Sequence, residues 1–428
     1  MLDRNLIRQE PELVRAGAKK KGVDAPVDEF LAVDEDWRAV KHELDVKNAE
    51  MNQVSKSIGQ LIGQGEKEKA EEAKSQTGQL KSEIKDLEAK EGELEAKLRE
   101  LELQFPNMPH ESVPEGADAN DNVVLREWGE KPFFAEEPHN HIQICEELGL
   151  IDFEKASNIS GSGFAVYTDR GARLVRSLYN WMLDFQVTHR GYTEVFPPYL
   201  VHSASMTGTG NLPKFAEDLY KCENDDLWLV PTAEVPVTNL LRDQIVDGTE
   251  LPIKYAAYTA CFRREAGAAG KETRGILRMH QFDKVELVKF VLPETSYDAL
   301  ERLIEDAEAI LQALGLHYRV LQLCTGDMGD KPSKCVDLEV WSPGEQKYLE
   351  VSSCSNFEAF QSRRANIRFR REPGAKPEFV HILNGSGVAV PRLFVALIEA
   401  NRLSNGDVVL PEPLWPYMGG MEIIKKDD

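Results

Sequence analysis

The chain has 428 residues, 42% of them hydrophobic and 29% charged, which is long enough for two domains and is the composition of a globular protein. A formal net charge of −22 counts against nucleic-acid binding through overall charge, so any polyanion has to be met by local Lys and Arg groups. Six scattered cysteines without a C-x-x-C pair offer no zinc signature and suit a reducing cytoplasm; residues 1–10 lack the apolar core of a signal peptide, and no run of about 18 apolar residues is present to cross a membrane.

The first 25 residues carry Leu2, Leu6, Ile7, Leu13 and Val14, which predicts a short helix. From Phe30 a heptad stripe runs through Val33, Trp37, Val40, Leu44, Lys47, Met51, Val54, Ile58 and Leu61, broken only by Lys47. Gly63-Gln64-Gly65 interrupts it, and a second stripe follows at Ala73, Thr77, Leu80, Ile84, Leu87, Glu91, Leu94, Leu98 and Leu101. Two such helices joined by a short turn near 63–66 must fold back on each other to bury their seams. Helices of ~35 residues would reach roughly 50 Å. Periodicity alone leaves a spacer, a dimerisation hairpin and a binding arm all open. Lys56, Lys67, Lys69 and Lys74 make the turn end its least repulsive part for a polyanion.

The arm is assigned to residues 1–105, a Pro-punctuated linker to 106–118 and a second domain to 119–428. That domain reads as α+β with antiparallel strands. Helices are expected over 171–190 and 297–314, and strands over 192–198, 227–234, 253–263, 276–291, 318–323, 336–341 and 347–351. The end reads as a strand from 379, a glycine turn at Gly385-Ser386-Gly387 and a helix over 390–401. Neither nucleotide fingerprint survives inspection. Gly270-Lys271 is preceded by Glu265 where a P-loop needs Gly and followed by Glu272 where it needs Ser or Thr, and Val390 occupies the third glycine position of a dinucleotide loop.

What remains is a set of strand-borne charges. Arg263 and Arg278 flank a loop, Glu286, Glu339 and Glu350 sit on neighbouring predicted strands, and Arg392 opens a helix. Arginine suits phosphate through paired, charge-assisted hydrogen bonds, and carboxylates suit an amine or Mg²⁺. Singly, each pair is better read as a surface ion pair on a sheet edge.

In their order these residues resemble the class II aminoacyl-tRNA synthetases. The strand ending Phe196-Pro197-Pro198 (near 191–198) resembles motif 1, Phe262-Arg263-Arg264-Glu265 with Arg278-Met279-His280-Gln281-Phe282 (near 260–285) resembles motif 2, and Asn384 to Arg392 (near 384–401) resembles motif 3. Within that class the strings Thr232-Ala233-Glu234, Glu350-Val351-Ser352-Ser353-Cys354 and Phe360-Gln361-Ser362-Arg363-Arg364, with the N-terminal hairpin, are similar to the seryl-tRNA synthetases over nearly the whole chain.

The resemblance implies an α+β fold: an antiparallel coiled-coil hairpin, then an antiparallel sheet flanked by helices. It implies formation of seryl-adenylate from ATP and serine, then transfer to tRNA(Ser) and, in hosts that have one, tRNA(Sec). Catalytic roles fall on Arg263, Arg278 and Arg392. ATP binding is implied for these, for Arg264, Glu265 and Met279, and for Glu350, Val351, Ser352 and Ser353. Mg²⁺ is assigned to Glu350 and Ser353, and serine to Thr232, Ala233, Glu234, Glu286 and Ser386. A homodimer in the cytoplasm, no zinc and no membrane complete the expectation. Two departures stand out: Pro391 precedes Arg392 where the family has Gly, and Arg264 replaces a common Ser. Proline suits the first turn of a helix. A paralogue loading a carrier protein and a non-catalytic interaction protein are the alternatives.

Overall fold

The computed structural model describes residues 1–265 and 275–426, in two compact units. The motif 2 loop and the Gly270-Lys271 string fall on 266–274, outside the described residues.

The first unit comprises Leu2–Lys19 and Val23–Pro106. Its long helices are α1 (Val27–Gly63) and α2 (Lys67–Glu102). Cross-pairs Lys41–Glu91 at 3.9 Å and Lys47–Glu83 at 2.8 Å fix them as antiparallel, since the partner number falls as the first rises. The second pair also explains the one polar break in the α1 stripe. Lys47 lies along the seam and carries its charge across to the other helix. Stripe residues are buried or half-buried, while the positions between them are mostly exposed. Gly65 turns the chain at φ +80°, a conformation that costs other residues a Cβ clash.

Two short helices, Arg4–Gln9 and Pro11–Lys20, stand where one was expected. They lock the base of the hairpin. Arg8 donates to buried Asp34 at 2.7 and 2.8 Å, and Arg4 spans Glu95 (2.7 Å) and buried Glu102. Burial works against the Asp34 charge, but hydrogen bonds from Arg8 and Arg38 hold its carboxyl below the usual range.

The second unit is built on an eight-stranded sheet. In chain order its elements are β1 (Val123–Trp128), α3 (Asp169–Arg190), β2 (Thr193–Glu194), β3 (Ile253–Phe262), β4 (Gln281–Val291), α4 (Ser296–Ala313), β5 (Tyr318–Gln322), β6 (Lys334–Ser342), β7 (Lys347–Asn356), β8 (His381–Ala389) and α5 (Val390–Ala400). The spatial order is β1-β5-β6-β7-β8-β4-β3-β2, antiparallel at every ladder except β2–β3. The expected antiparallel fold is therefore present, with one parallel edge.

Alternation along the strands divides the sheet into two faces. Val285, Leu287, Val336, Leu338, Val340 and Leu383 join α3, α4 and α5 in one large apolar core. The intervening residues point the other way. Towards one end that second face is covered too: Val288, Phe290 and Ile382 pack with Ala233, Val237, Ile367 and Phe369. The uncovered remainder forms a cleft.

Four sequence-based expectations change. The strand expected over 227–234 is only Trp228–Leu229, and Glu234 instead opens a short helix, Glu234–Thr238. Pro231 and Pro236 explain this, because neither has an N–H for a ladder. The strand over 192–198 shrinks to Thr193–Glu194 for the same reason, at Pro197 and Pro198. The strand from 276 begins at Gln281, after a turn whose Gly275 has φ +60°. Finally, Gly385-Ser386-Gly387 is no turn but lies inside β8. A Cβ on Gly385 would come within 2.8 Å of Cys354 Sγ, and one on Gly387 within 3.1 Å of Leu287 Cγ, so the glycines serve close packing.

Candidate active site

The cleft spans about 650 Å³ and opens beside a smaller recess of about 160 Å³; Arg263, Glu265, Arg278, Lys284, Glu350 and Ser386 line both. Its floor is the uncovered face of β4, β6, β7 and β8. Lys284 and Glu286 come from β4, Asp337 from β6, Ser353 and Ser355 from β7, and Asn384 and Ser386 from β8. Ladder registry brings Ser386 opposite Glu286 and Ser353 opposite Asp337.

Two irregularities re-aim side chains into this space. Strict alternation would put Glu350 and Ser353 on opposite faces. The register shift between Glu350 and Ser352 inserts one residue, so both line the cleft. In β8 the register shifts between Ser386 and Ala389, and buried Val388 stands at φ +116°. For a β-branched residue this is strained backbone, costing on the order of 1–3 kcal/mol. The next residues enter α5 and carry Arg392 to the recess.

Arginines collect at one end. Arg278 pairs with Glu265, itself at φ +50°, and its buried Nε has no hydrogen-bond partner. Arg392 donates to the backbone oxygens of Glu350 (2.8 Å) and Leu277 (3.2 Å) and approaches the Glu350 carboxylate at 3.5 Å. Arg263 lies over the Phe282 ring, 5.0 Å from its centroid, and donates to Pro231 O at 3.3 Å. Beside them the recess is lined by apolar Ile276, Leu277, Met279, Phe282 and Val351, a slot suited to a flat ring.

The other end is buried and polar. Thr232 Oγ1 donates to Glu286 Oε2 at 3.0 Å and accepts from Lys284 Nζ at 2.8 Å, and Lys284 and Glu286 are paired directly. Glu234 accepts from Gln361 at 2.6 Å and faces Lys331 at 4.0 Å. Asp337 lies between the ends. Burial, and then the charge of Glu350, push its carboxyl well above the usual range.

Most residues singled out from the sequence converge here: Arg263, Glu265, Arg278, Met279, Glu350, Val351, Ser353, Arg392, Thr232, Glu234, Glu286 and Ser386 all line the cleft or its recess. Three line neither. Ala233 packs in the smaller apolar cluster, buried Ser352 donates to Ser386 O at 2.6 Å, and exposed Arg264 meets Asp218 O through its backbone N–H at 2.9 Å. Glu339, singled out with Glu286 and Glu350, is instead paired with Arg319. Sequence reasoning missed Lys284, Asp337, Asn384 and Phe282. A period-two reading of Phe282, Lys284 and Glu286 would have found the two on β4.

The Glu350–Ser353 donor set fits Mg²⁺. It is all oxygen, supplies one carboxylate and one hydroxyl, and leaves positions for water and phosphate.

Comparison with known proteins identifies the family and the fold. A family model described as "Seryl-tRNA synthetase N-terminal domain" matches residues 1–109, and one described as "tRNA synthetase class II core domain (G, H, P, S and T)" matches residues 219–401. The serine–tRNA ligase of Bacillus subtilis is 53% identical over 426 residues, covering 99% of this chain and 100% of that one. Among solved structures, seryl-tRNA synthetase from Pyrococcus horikoshii complexed with ATP superposes with a TM-score of 0.91 at 37% identity over 99% of each chain. The cytoplasmic serine-tRNA ligase from Naegleria fowleri with AMP gives 0.87 at 31% identity over 100% of this chain and 99% of that one. With end-to-end similarity of this order and both family models matched, the chain belongs to the seryl-tRNA synthetase family.

Proposed function

We propose that the cleft joins serine to ATP and passes the seryl group to tRNA(Ser). The serine carboxylate attacks the α-phosphorus of ATP and pyrophosphate leaves, giving seryl-adenylate. A terminal ribose hydroxyl of the tRNA then attacks the seryl carbonyl and AMP leaves. Neither step needs a covalent protein nucleophile, so catalysis is positioning and charge stabilisation. The supporting observation is the polarity of the cleft: guanidinium groups at one end and a buried Thr232–Lys284–Glu286 group at the other.

In this reading Arg263 holds the α-phosphate. Arg278 exchanges Glu265 for phosphate oxygens, and Arg392 meets the far end of the triphosphate. The adenine ring enters the recess against Phe282 and Met279, with Arg264 adding charge at its rim. Glu350 and Ser353 would hold Mg²⁺, which would supply charge neutralisation to the polyphosphate when bound. Glu286 receives the serine ammonium, while Thr232, Glu234 and Ser386 bound the hydroxyl. An amino acid lacking that hydroxyl would leave buried polar groups unpaired, so alanine is rejected.

The hairpin is the tRNA reader in this proposal, with residues 1–105 as arm, 106–118 as linker and 119–428 as catalytic domain. At its turn Lys69 and Lys74 are paired with Glu66 and Glu71 at 2.6 Å, which leaves Lys56 and Lys67 without such partners among the described residues. These two are the proposed phosphate contacts. Phe196, 75% exposed beside the edge strand β2, supports a homodimer contact there. No helix is long and apolar enough to cross a membrane. Action in the cytoplasm, and on tRNA(Sec) where the host has one, extends the same reading.

The test is ATP–pyrophosphate exchange driven by single amino acids. Serine should drive exchange at least a hundredfold better than alanine; equal exchange with both would remove serine as the substrate.

A further inference from the structure

Away from the cleft, His141, Glu345 and Glu399 bring one ligand atom each within 4.8 Å of one another. They come from three separate segments. His141 begins a helix, His141–Leu148, Glu345 lies in the turn after β6, and Glu399 lies near the end of α5. The His141 side chain and the Glu399 side chain are fully buried, and the Glu345 side chain is 20% exposed.

The group is unbalanced as it stands. Both ring nitrogens of His141 lack a hydrogen-bond partner. Neither carboxylate is paired with a Lys or Arg among the described residues. His141 Nδ1 stands 3.4 Å from an oxygen of each carboxylate, well beyond the about 2.7–2.9 Å of a charge-assisted hydrogen bond. That spacing has another natural cause. Two donors bound at about 2.0–2.1 Å to one tetrahedral ion lie about 3.3–3.4 Å apart.

We propose that His141, Glu345 and Glu399 form a structural binding site for a divalent first-row transition ion of the zinc class. The imidazole donor selects against Mg²⁺ and Ca²⁺, which take oxygen ligands; imidazole nitrogen and carboxylate oxygen are both zinc ligands, and three of them leave one tetrahedral position for water. The absence of a cysteine signature in the sequence does not bear on it, since no ligand is a thiolate.

The surroundings fix the orientation of the Glu399 carboxylate. Glu399 Oε1 accepts the backbone N–H of His141 at 2.7 Å, and its Oε2 accepts from Gly344 N–H at 3.0 Å and from the Ser342 hydroxyl. A Cβ on Gly344 would meet Asn140 Cα at 2.5 Å, so the turn carrying Glu345 can approach only as glycine. The ion would tie α5, which carries Arg392, to the His141 helix. The His141 ring also abuts Gly275, where a Cβ would come within 2.0 Å of Nε2, three residues before Arg278. None of the three ligands lines the cleft or its recess, and the site is linked to Arg278 and Arg392 only through the segments that carry them.

The experiment uses the full chain, stripped by chelator and equilibrated with micromolar Zn²⁺ or Co²⁺. Zinc per chain is read by atomic emission after gel filtration, and cobalt by the visible bands of a low-symmetry, four-coordinate ion. The primary variant is Glu345→Gln, because that carboxylate is partly exposed and its loss is least able to prevent folding; His141→Gln is the second. About one ion per chain in the wild type, with affinity at least tenfold weaker in Glu345→Gln, is the expected result. Glu350→Gln, in the catalytic cleft, should leave that stoichiometry unchanged. Failure of the wild type to retain zinc, or equal retention by Glu345→Gln, would overturn the assignment. So would loss of the ion in Glu350→Gln.

Discussion

Replacing Glu286 by Gln separates what this side chain does for folding from what it does for serine. Glu286 and Lys284 are 2% and 7% exposed and pair directly, with Thr232 hydrogen-bonded to both. Removing one partner of a buried pair leaves an uncompensated charge and costs about 3–5 kcal/mol. Gln can still accept from Thr232, so the lower end, about 3 kcal/mol, is expected in the denaturant midpoint of the catalytic unit. Loss of the carboxylate also removes a charge-assisted hydrogen bond to the serine ammonium, worth about 1.5–3 kcal/mol, which converts to a rise of about 10- to 150-fold in KM for serine. The double variant Lys284→Met/Glu286→Gln removes the orphaned charge and should recover most of the stability. Its serine KM should stay high. If exchange recovers together with stability, Glu286 is a structural partner of Lys284 and the serine assignment is wrong.

Arg263→Ala should slow pyrophosphate exchange by about a hundredfold to a thousandfold, the scale of losing one preorganised charge donor, with little change in melting temperature because the side chain is exposed. Near-normal exchange would take it out of the phosphate site. Removing residues 45–86, between the cross-pairs Lys41–Glu91 and Lys47–Glu83, keeps the Arg4 and Arg8 clamps at the base. Charging of tRNA should then be lost while exchange persists; equal loss of both would show that the hairpin is no separate reader. Burial pushes Lys21, donating to Pro332 O at 2.6 Å, down to about 7 against an ordinary 10.5. Between those values the unfolded chain binds the extra proton, so stability rises as pH climbs from about 7 towards 10. Lys21→Met should flatten that rise in pH-dependent denaturation, and an unchanged slope would assign it to other groups.

The hairpin was legible almost residue by residue, because a heptad stripe is a local signal and the structure buries the same positions. What the stripe did not disclose was the pinning of its base, since Arg8–Asp34 and Arg4–Glu102 join residues far apart in sequence. In the sheet, the buried strands were legible from their apolar runs, whereas β1 escaped: it lies at an edge with all six residues exposed, so no inside-outside pattern exists to read. Prolines cut two predicted strands short. The site residues named by resemblance lie in the cleft more often than not, but Asp337 belongs to it only through strand pairing with β7, which no single segment encodes.

Two of the strands that carry the cleft chemistry, β7 and β8, depart from regular geometry. Had β7 kept strict alternation, Glu350 or Ser353 would have faced the core among Val351 and Cys354, and the paired oxygen donors would not exist. Had β8 run on regularly past Ser386, α5 would begin at a different angle and Arg392 would lose both carbonyls that now aim it. Gly385 and Gly387 let β8 press close enough to β7 and β4 for this to happen, and Val388 bears the remaining strain. Pro391 fits the same account. It sits at the start of α5, where the missing N–H costs nothing and the fixed φ favours the turn already required of the chain. The proline therefore stiffens the approach to Arg392 rather than redirecting it, and Pro391→Gly should weaken ATP binding through a less ordered α5 start while leaving the serine KM unchanged.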